Sequence, residues 1–228
     1  MDEIKKFWQR RLTALETTVI VFMAAALFLA GYGVYRFAQV QILQSQVRSA
    51  APGVYGKVRK QRETIIKAIE AYKAEFGFYP PENVLSKNPL TVDVVNNPLL
   101  YELAGTVYNP TNQMFFLGDL EPAEASFVKD FFHRSNFVNC AENDDKVKHF
   151  LSLQHSPAKQ LHDDPDVFAV GFSYLMVDVP PKLLWEFDFS PWRYNHAQAT
   201  NNPGKFDLWI EVKANGKVVT IGNWKAVE

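Results

Sequence analysis

RRLTALETTVIVFMAAALFLAGYGVYRF, residues 10–37, decides the architecture. No charged side chain occurs between Glu16 and Arg36. As a helix, residues 17–35 span roughly 28 Å at 1.5 Å per residue, enough to cross a hydrocarbon core. Lys5, Lys6, Arg10 and Arg11 precede the run, so the positive-inside rule assigns the N-terminus to the cytoplasm and the chain beyond Phe37 to the other side. The expectation is a single-pass anchor carrying an extracytoplasmic domain. A cleaved secretory signal is the competing reading. Against it, the run is long for a signal core, and Ser49-Ala50-Ala51 lies far downstream, just before Pro52. The unusual residue is Glu16, a carboxylate at the head of an apolar run, which is costly unless it has a partner or a purpose.

Beyond Phe37 the helix is expected to continue through AQVQILQSQVRSA, to kink or pause at Pro52-Gly53, and to resume as VYGKVRKQRETIIKAIEAYKAEFG. In that second part Val54, Val58, Ile65, Ile66, Ile69, Tyr72 and Phe76 recur at spacings near three and four, the pattern of an amphipathic helix laid on a core. Gly77 is the expected residue just past its end, and Pro80-Pro81 prevents a restart.

The remainder is mixed. NNPLLYELAGT predicts a short helix capped by Asn97, with Pro98 in its first position and Gly105 past its end. A second helix is predicted in EPAEASFVKDFFHRS, with Pro122 near its start and Phe127 and Phe131 four apart. Residues 166–179 and LLWEFDF read as strands, the latter with Trp185, Phe187 and Phe189 on one face. FDLWIEV and VVTIGNW flank KANGK, whose Asn215-Gly216 pair suits a two-residue hairpin. The chain is thus expected to close on an antiparallel meander.

Composition narrows the function. Lys and Arg total 24 against 25 Asp and Glu, a net charge of -1, so no global basic field exists to hold nucleic acid. No G-x-S-x-G, H-E-x-x-H, phosphate-binding loop or dinucleotide fingerprint occurs, and the five His residues are scattered, so no enzyme is expected. His149 and His155 flank a predicted short helix as surface imidazoles. The lone Cys140 cannot form an intrachain disulfide and is expected as a small buried hydrophobe. SPWRYN, with Trp192 and Tyr194, could stack on a glycan, but a turn packed on the sheet is the preferred reading. Around His162, Asp163, Asp164 and Asp166 a solvated loop is preferred over a cation site. No cofactor is expected.

Three blocks resemble the type IV pilin and type II secretion pseudopilin superfamily, especially its major-pseudopilin-like proteins. LTALETTVIVFMAAALFLAGY is similar to the pilin N-terminus, with Glu fifth before an uninterrupted apolar helix. IIKAIEAYKAEFGFYPPEN is similar to the family's helix end and Tyr-Pro exit, and NPGKFDLWIEVKANGKVVTIGNW to its closing Phe-Asp-Leu-Trp strand and terminal Asn-Trp. The resemblance implies an α+β, pilin-like fold in which a long N-terminal helix packs on a small antiparallel sheet. In that frame residues 1–11 are a basic cytoplasmic leader, 12–37 the transmembrane helix, 38–76 its extracytoplasmic continuation, and 77–228 a globular domain with an insertion near 107–191. It further implies a filament subunit of a secretion or pilus-like machine in the bacterial inner membrane, with its C-terminal domain in the periplasm. The implied partners are membrane lipid, other pilin or pseudopilin subunits of the same or different sequence, a platform protein and its ATPase, and a prepilin peptidase.

Two departures from the family pattern bear on mechanism. The peptidase cuts after Gly, and here that position is Arg11, with Leu12 following. In cleaved members the acid is thought to neutralise the new amine of a neighbouring subunit. For Glu16, Arg10 or Arg11 of a neighbour could substitute. The alternative is that Thr13 and Glu16 form a capping box at the helix start. Major pseudopilins also often hold calcium between the Phe-Asp-Leu-Trp strand and the final Asn-Trp. That interval here contains only the ANGK turn, too few oxygens for calcium, and no site is expected. A monomeric, permanently anchored binding module that kept the fold and lost assembly is the rival to the filament subunit.

Overall fold

A computed structural model describes residues 14–120, 122–153, 158–160, 173–175, 188–214 and 216–224. The fold is α+β, with a long N-terminal apolar helix and small, mostly antiparallel sheets. The chain divides into two compact units, Met1–Ser49 and Ala50–Glu228.

Helix α1 runs over Ala14–Phe76, 63 residues, with Pro52 inside it. The expected pause at Pro52-Gly53 does not occur. Proline removes one backbone bond and crowds the preceding turn, at about 3 kcal/mol. Immediately beyond it Val54 and Val58 are completely buried, so packing holds the next turns in helical register. Ile65, Ile69 and Tyr72 continue that buried stripe, joined by Ala68, whereas Ile66 and Phe76 are half-buried. The helix ends as expected: Gly77 adopts φ 82° and its N–H donates to the Lys73 carbonyl at 2.8 Å.

A hairpin absent from the sequence reading follows, β1 (Asn83–Lys87) with β2 (Leu90–Asp93), joined through Asn88-Pro89. Helix α2 (Leu99–Ala104) is wholly buried. Pro98, not Asn97, takes its cap position, while Asn97 Oδ1 accepts the Leu99 N–H at 3.2 Å from one residue further out. Proline has no N–H to satisfy and fits the helix entrance, so the cap shifts by one. Strands β3 (Thr106–Asn109), β4 (Met114–Phe116), β5 (Ala123–Glu124) and β6 (Cys140–Ala141) form a sheet in the order β5-β4-β3-β6, with β6 parallel to β3. Helix α3 (Ala125–Phe132) lies between β5 and β6 in sequence. It buries Val128 and Phe132, leaving Phe127 and Phe131 stacked at 5.5 Å.

Of the strand expected over 166–179, β8 (Ser173–Leu175) is described, paired with β7 (Ala158–Gln160). Of LLWEFDF, β9 (Asp188–Phe189) is described; Trp185 and Phe187 lie outside the described residues. The closing sheet is β10 (Arg193–Asn195), β11 (Asp207–Ala214) and β12 (Lys217–Gly222), with β9 also pairing β11. Ala214 pairs with Lys217, leaving the two-residue loop expected from Asn-Gly, with Gly216 at φ 72°. Along β11 the buried Leu208, Ile210 and Val212 alternate with more exposed positions.

The RYN half of SPWRYN is strand β10 and Trp192 directly precedes it; Trp192 and Tyr194 are core residues, 1% and 0% exposed. That burial removes the glycan-stacking reading. Residues 50–76 of α1 dock on this sheet through side chains. Trp192 Nε1 donates to Gln61 Oε1 at 3.3 Å, and Arg62 Nη1 donates to the Gly222 carbonyl at 2.6 Å.

Candidate functional site

Thr17–Ile42 is the single stretch among the described residues long and apolar enough to cross a membrane, 26 residues or about 39 Å of helix. Every side chain in it is exposed, with Phe22, Leu27 and Phe28 each above 70%. Gly31 and Gly33 have nothing within 4 Å of a would-be Cβ, so another helix could approach the backbone closely there. An exposed, predominantly apolar surface of this length, uncharged from Thr17 to Tyr35, calls for a non-aqueous neighbour.

The polar residues assigned to assembly are next to this stretch. Arg10, Arg11, Leu12 and Thr13 lie outside the described residues, and of Glu16 only the backbone, in the first turn of α1, is described. The run His162, Asp163, Asp164 and Asp166 and the imidazole of His155 also lie outside them. Among the described residues no group of three or more His, Cys, Asp or Glu could hold a metal.

The polar groups that do converge were not singled out in the sequence. Glu102, in the middle of α2, is fully buried. Its Oε2 accepts Tyr72 Oη and the Asn139 N–H, and its Oε1 the Val138 N–H, each at 3.0 Å; Arg134 Nη1 approaches Oε1 at 3.4 Å. One carboxylate therefore ties α1, α2 and the segment ahead of β6. Burial, followed by the Glu102 charge and hydrogen bond, pushes the Tyr72 phenol well up. Burial lowers the Arg134 guanidinium, opposed by Glu102. Burial, then Glu102, pushes the Cys140 thiol up to about 11. Cys140 is half-buried, short of the full burial expected, yet its thiol is held protonated and unreactive at neutral pH.

Glu82 forms a second hub: its Oε1 accepts the N–H groups of His196 and Ala197, and Arg134 Nη2 donates to its carbonyl at 2.7 Å. Tyr194 Oη donates to the neighbouring Pro80 carbonyl at 3.0 Å, and its phenol is pushed well up, by burial first and then by the Glu82 charge. Both acids serve as acceptors for N–H groups, an arrangement that holds chain segments together. A lone acid in LLYELA, an otherwise apolar helix, was the sequence signal for the first hub. For the second no local signal exists, because the N–H groups its carboxylate accepts lie 114 and 115 positions away and Arg134 lies 52 away.

His149 borders a cavity of ≈ 450 Å³ lined by Ala104, Gly118, Leu120, Leu151 and Ser152 among others. Its Nδ1 donates to the Ala104 carbonyl at 2.7 Å and its Nε2 is 3.4 Å from Asp144 Oδ1. It is half-exposed and follows a 3-10 turn (Asp144–Lys146); the helix expected between His149 and His155 runs into residues 154–157, which lie outside the described residues. No family model, no curated protein and no solved structure matches the chain.

Proposed function

We propose that this chain is a pilin-like or pseudopilin-like structural subunit, anchored by its apolar helix before assembly into a secretion or pilus-like filament. The observation that carries the reading is the division of labour along α1. Residues 17–42 are exposed throughout and uncharged as far as Tyr35, whereas Val54, Val58, Ile65, Ile69 and Tyr72 of the same helix are completely buried in the second unit. In such a subunit the apolar half exchanges lipid for the helices of neighbours. Apolar surface stays dry at both ends of that exchange, so little hydrophobic free energy opposes it, compared with about 25 cal/mol per Å² for exposure to water. The three sequence blocks that resemble pilins support the same assignment, as does the final antiparallel hairpin. Bacterial inner-membrane location, the periplasmic domain, the platform protein with its ATPase, and the peptidase belong to this proposal.

Glu16 is assigned to assembly, with Arg10 and Arg11 of a neighbour as its cations. Removing one partner from a buried ion pair costs about 3–5 kcal/mol, enough to suppress polymerisation while leaving insertion intact. The test is cysteine crosslinking between neighbours through residues 17–42, in membranes containing the secretion machinery. Glu16→Ala is expected to lose the crosslinks, with partial recovery when Arg10 and Arg11 are neutralised as well. Equal crosslinking in all variants at normal membrane levels would make Glu16 a helix cap. Arg11 in place of the peptidase's Gly favours the second reading, a permanently anchored, non-assembling module. An N-terminal mass beginning at Leu12 would count against that alternative.

A further inference from the structure

The calcium that the pilin-like reading implies does not fit the carboxylate that opens β11, Asp207. Asp207, 3% exposed at the start of β11, is already saturated. Its Oδ2 accepts the N–H groups of Thr200 and Asn201 at 2.9 Å and Asn201 Nδ2 at 3.0 Å. Its Oδ1 accepts the Asn202 N–H at 2.9 Å and Asn202 Nδ2 at 3.0 Å. Those five donors meet a carboxylate with about four lone-pair sites. A cation placed there would face the positive ends of N–H dipoles, whereas calcium seeks six to eight oxygens.

The closure extends one layer further. Asn202 Nδ2 also donates to Asn223 Oδ1 at 3.0 Å, and the same oxygen accepts the Leu208 N–H at 3.0 Å. Asn223 Nδ2 donates to the Phe206 carbonyl at 2.9 Å, and its backbone N–H to the Leu208 carbonyl at 3.0 Å. Trp224 then packs edge-on against Trp209, ring centroids 5.9 Å apart. Residues 200–208 and the chain after β12 are therefore fastened around one carboxylate.

We propose that Asp207 is a built-in anion that closes this loop and the Asn223-Trp224 end without a divalent cation. The comparison with calcium rests on the pilin-like reading; the carboxylate closure rests only on Asp207 and its donors. The test is hydrogen exchange on the full chain in detergent micelles, with EDTA or with millimolar calcium. Wild type is expected to protect the amides of Thr200, Asn201 and Asn202 equally in both. Asp207→Asn turns an amide N–H₂ toward these donors. Exchange in residues 200–208 is then expected to rise at least about tenfold, which calcium does not reverse, while α2 stays protected. Should Asp207→Asn fail to accumulate, Asn202→Ala removes the side-chain donor and is expected to produce a smaller rise confined to the same segment. Calcium-dependent protection in wild type, or unchanged exchange in whichever variant is measured, overturns the proposal. Loss of filament crosslinks with this protection intact would count against the filament reading alone.

Discussion

At the scale of single residues, buried acids hold the second unit together. Glu102 is the most exposed to test, in the sense that each of its acceptor positions is used. Glu102→Ala leaves the Tyr72 hydroxyl and two backbone N–H groups without their acceptor and removes the carboxylate paired with Arg134, and is expected to cost about 3–5 kcal/mol. Denaturant unfolding of the full chain in micelles measures it, and a loss below about 1 kcal/mol would make the hub incidental. Cys140 gives a pH signature. Its thiol is raised from an ordinary 9.0 to about 11, so between those values the unfolded chain has released a proton that the folded chain keeps. Stability contributed by the thiol is complete below pH 9 and declines as pH rises toward 11, and the raised Tyr72 phenol acts in the same direction. The expected outcome is a melting temperature that falls over that window, less steeply in Cys140→Ala. Identical slopes would contradict it.

At the scale of elements, turn geometry governs how helices meet sheets. Gly105 joins α2 to β3 at φ 82°, and a Cβ there would lie 2.1 Å from the Val147 side chain and 2.9 Å from the Lys148 carbonyl. Gly105→Ala is therefore expected to destabilise by about 2 kcal/mol or more, combining left-handed strain with displacement of the 147–148 segment. Thermal unfolding checks it; a neutral substitution would mean that the segment moves freely. Pro52 illustrates the opposite case. Its local cost is real, but one missing hydrogen bond in a helix of 63 residues is outweighed when the next turns bury Val54 and Val58.

At the scale of the molecule, the two units differ in what they need from their surroundings. Residues 50–228 enclose their own core, built on Tyr72, Phe115, Trp192, Tyr194 and Phe206. A fragment beginning near Ala51 is expected to be soluble and to unfold cooperatively, with a near-ultraviolet signal from its buried aromatics; an aggregated or molten fragment would contradict this. Much of this organisation is legible in the sequence alone. The uncharged run after Glu16, the buried stripe from Val54 to Tyr72, the Gly77 stop and the Asn215-Gly216 hairpin are each written within a few residues. Periodicity, charge and backbone preference act locally, and one chain segment suffices to read them. Only the tertiary structure decided that Pro52 is passed through, that Trp192 and Tyr194 of SPWRYN are core residues at strand β10, and that Glu102, Glu82 and Asp207 gather the segments around them. Glu102 meets Tyr72 across 30 positions and Asn139 across 37, and Glu82 meets Ala197 across 115. Such pairings follow from which buried donors the fold brings to a carboxylate, and no local pattern encodes that convergence.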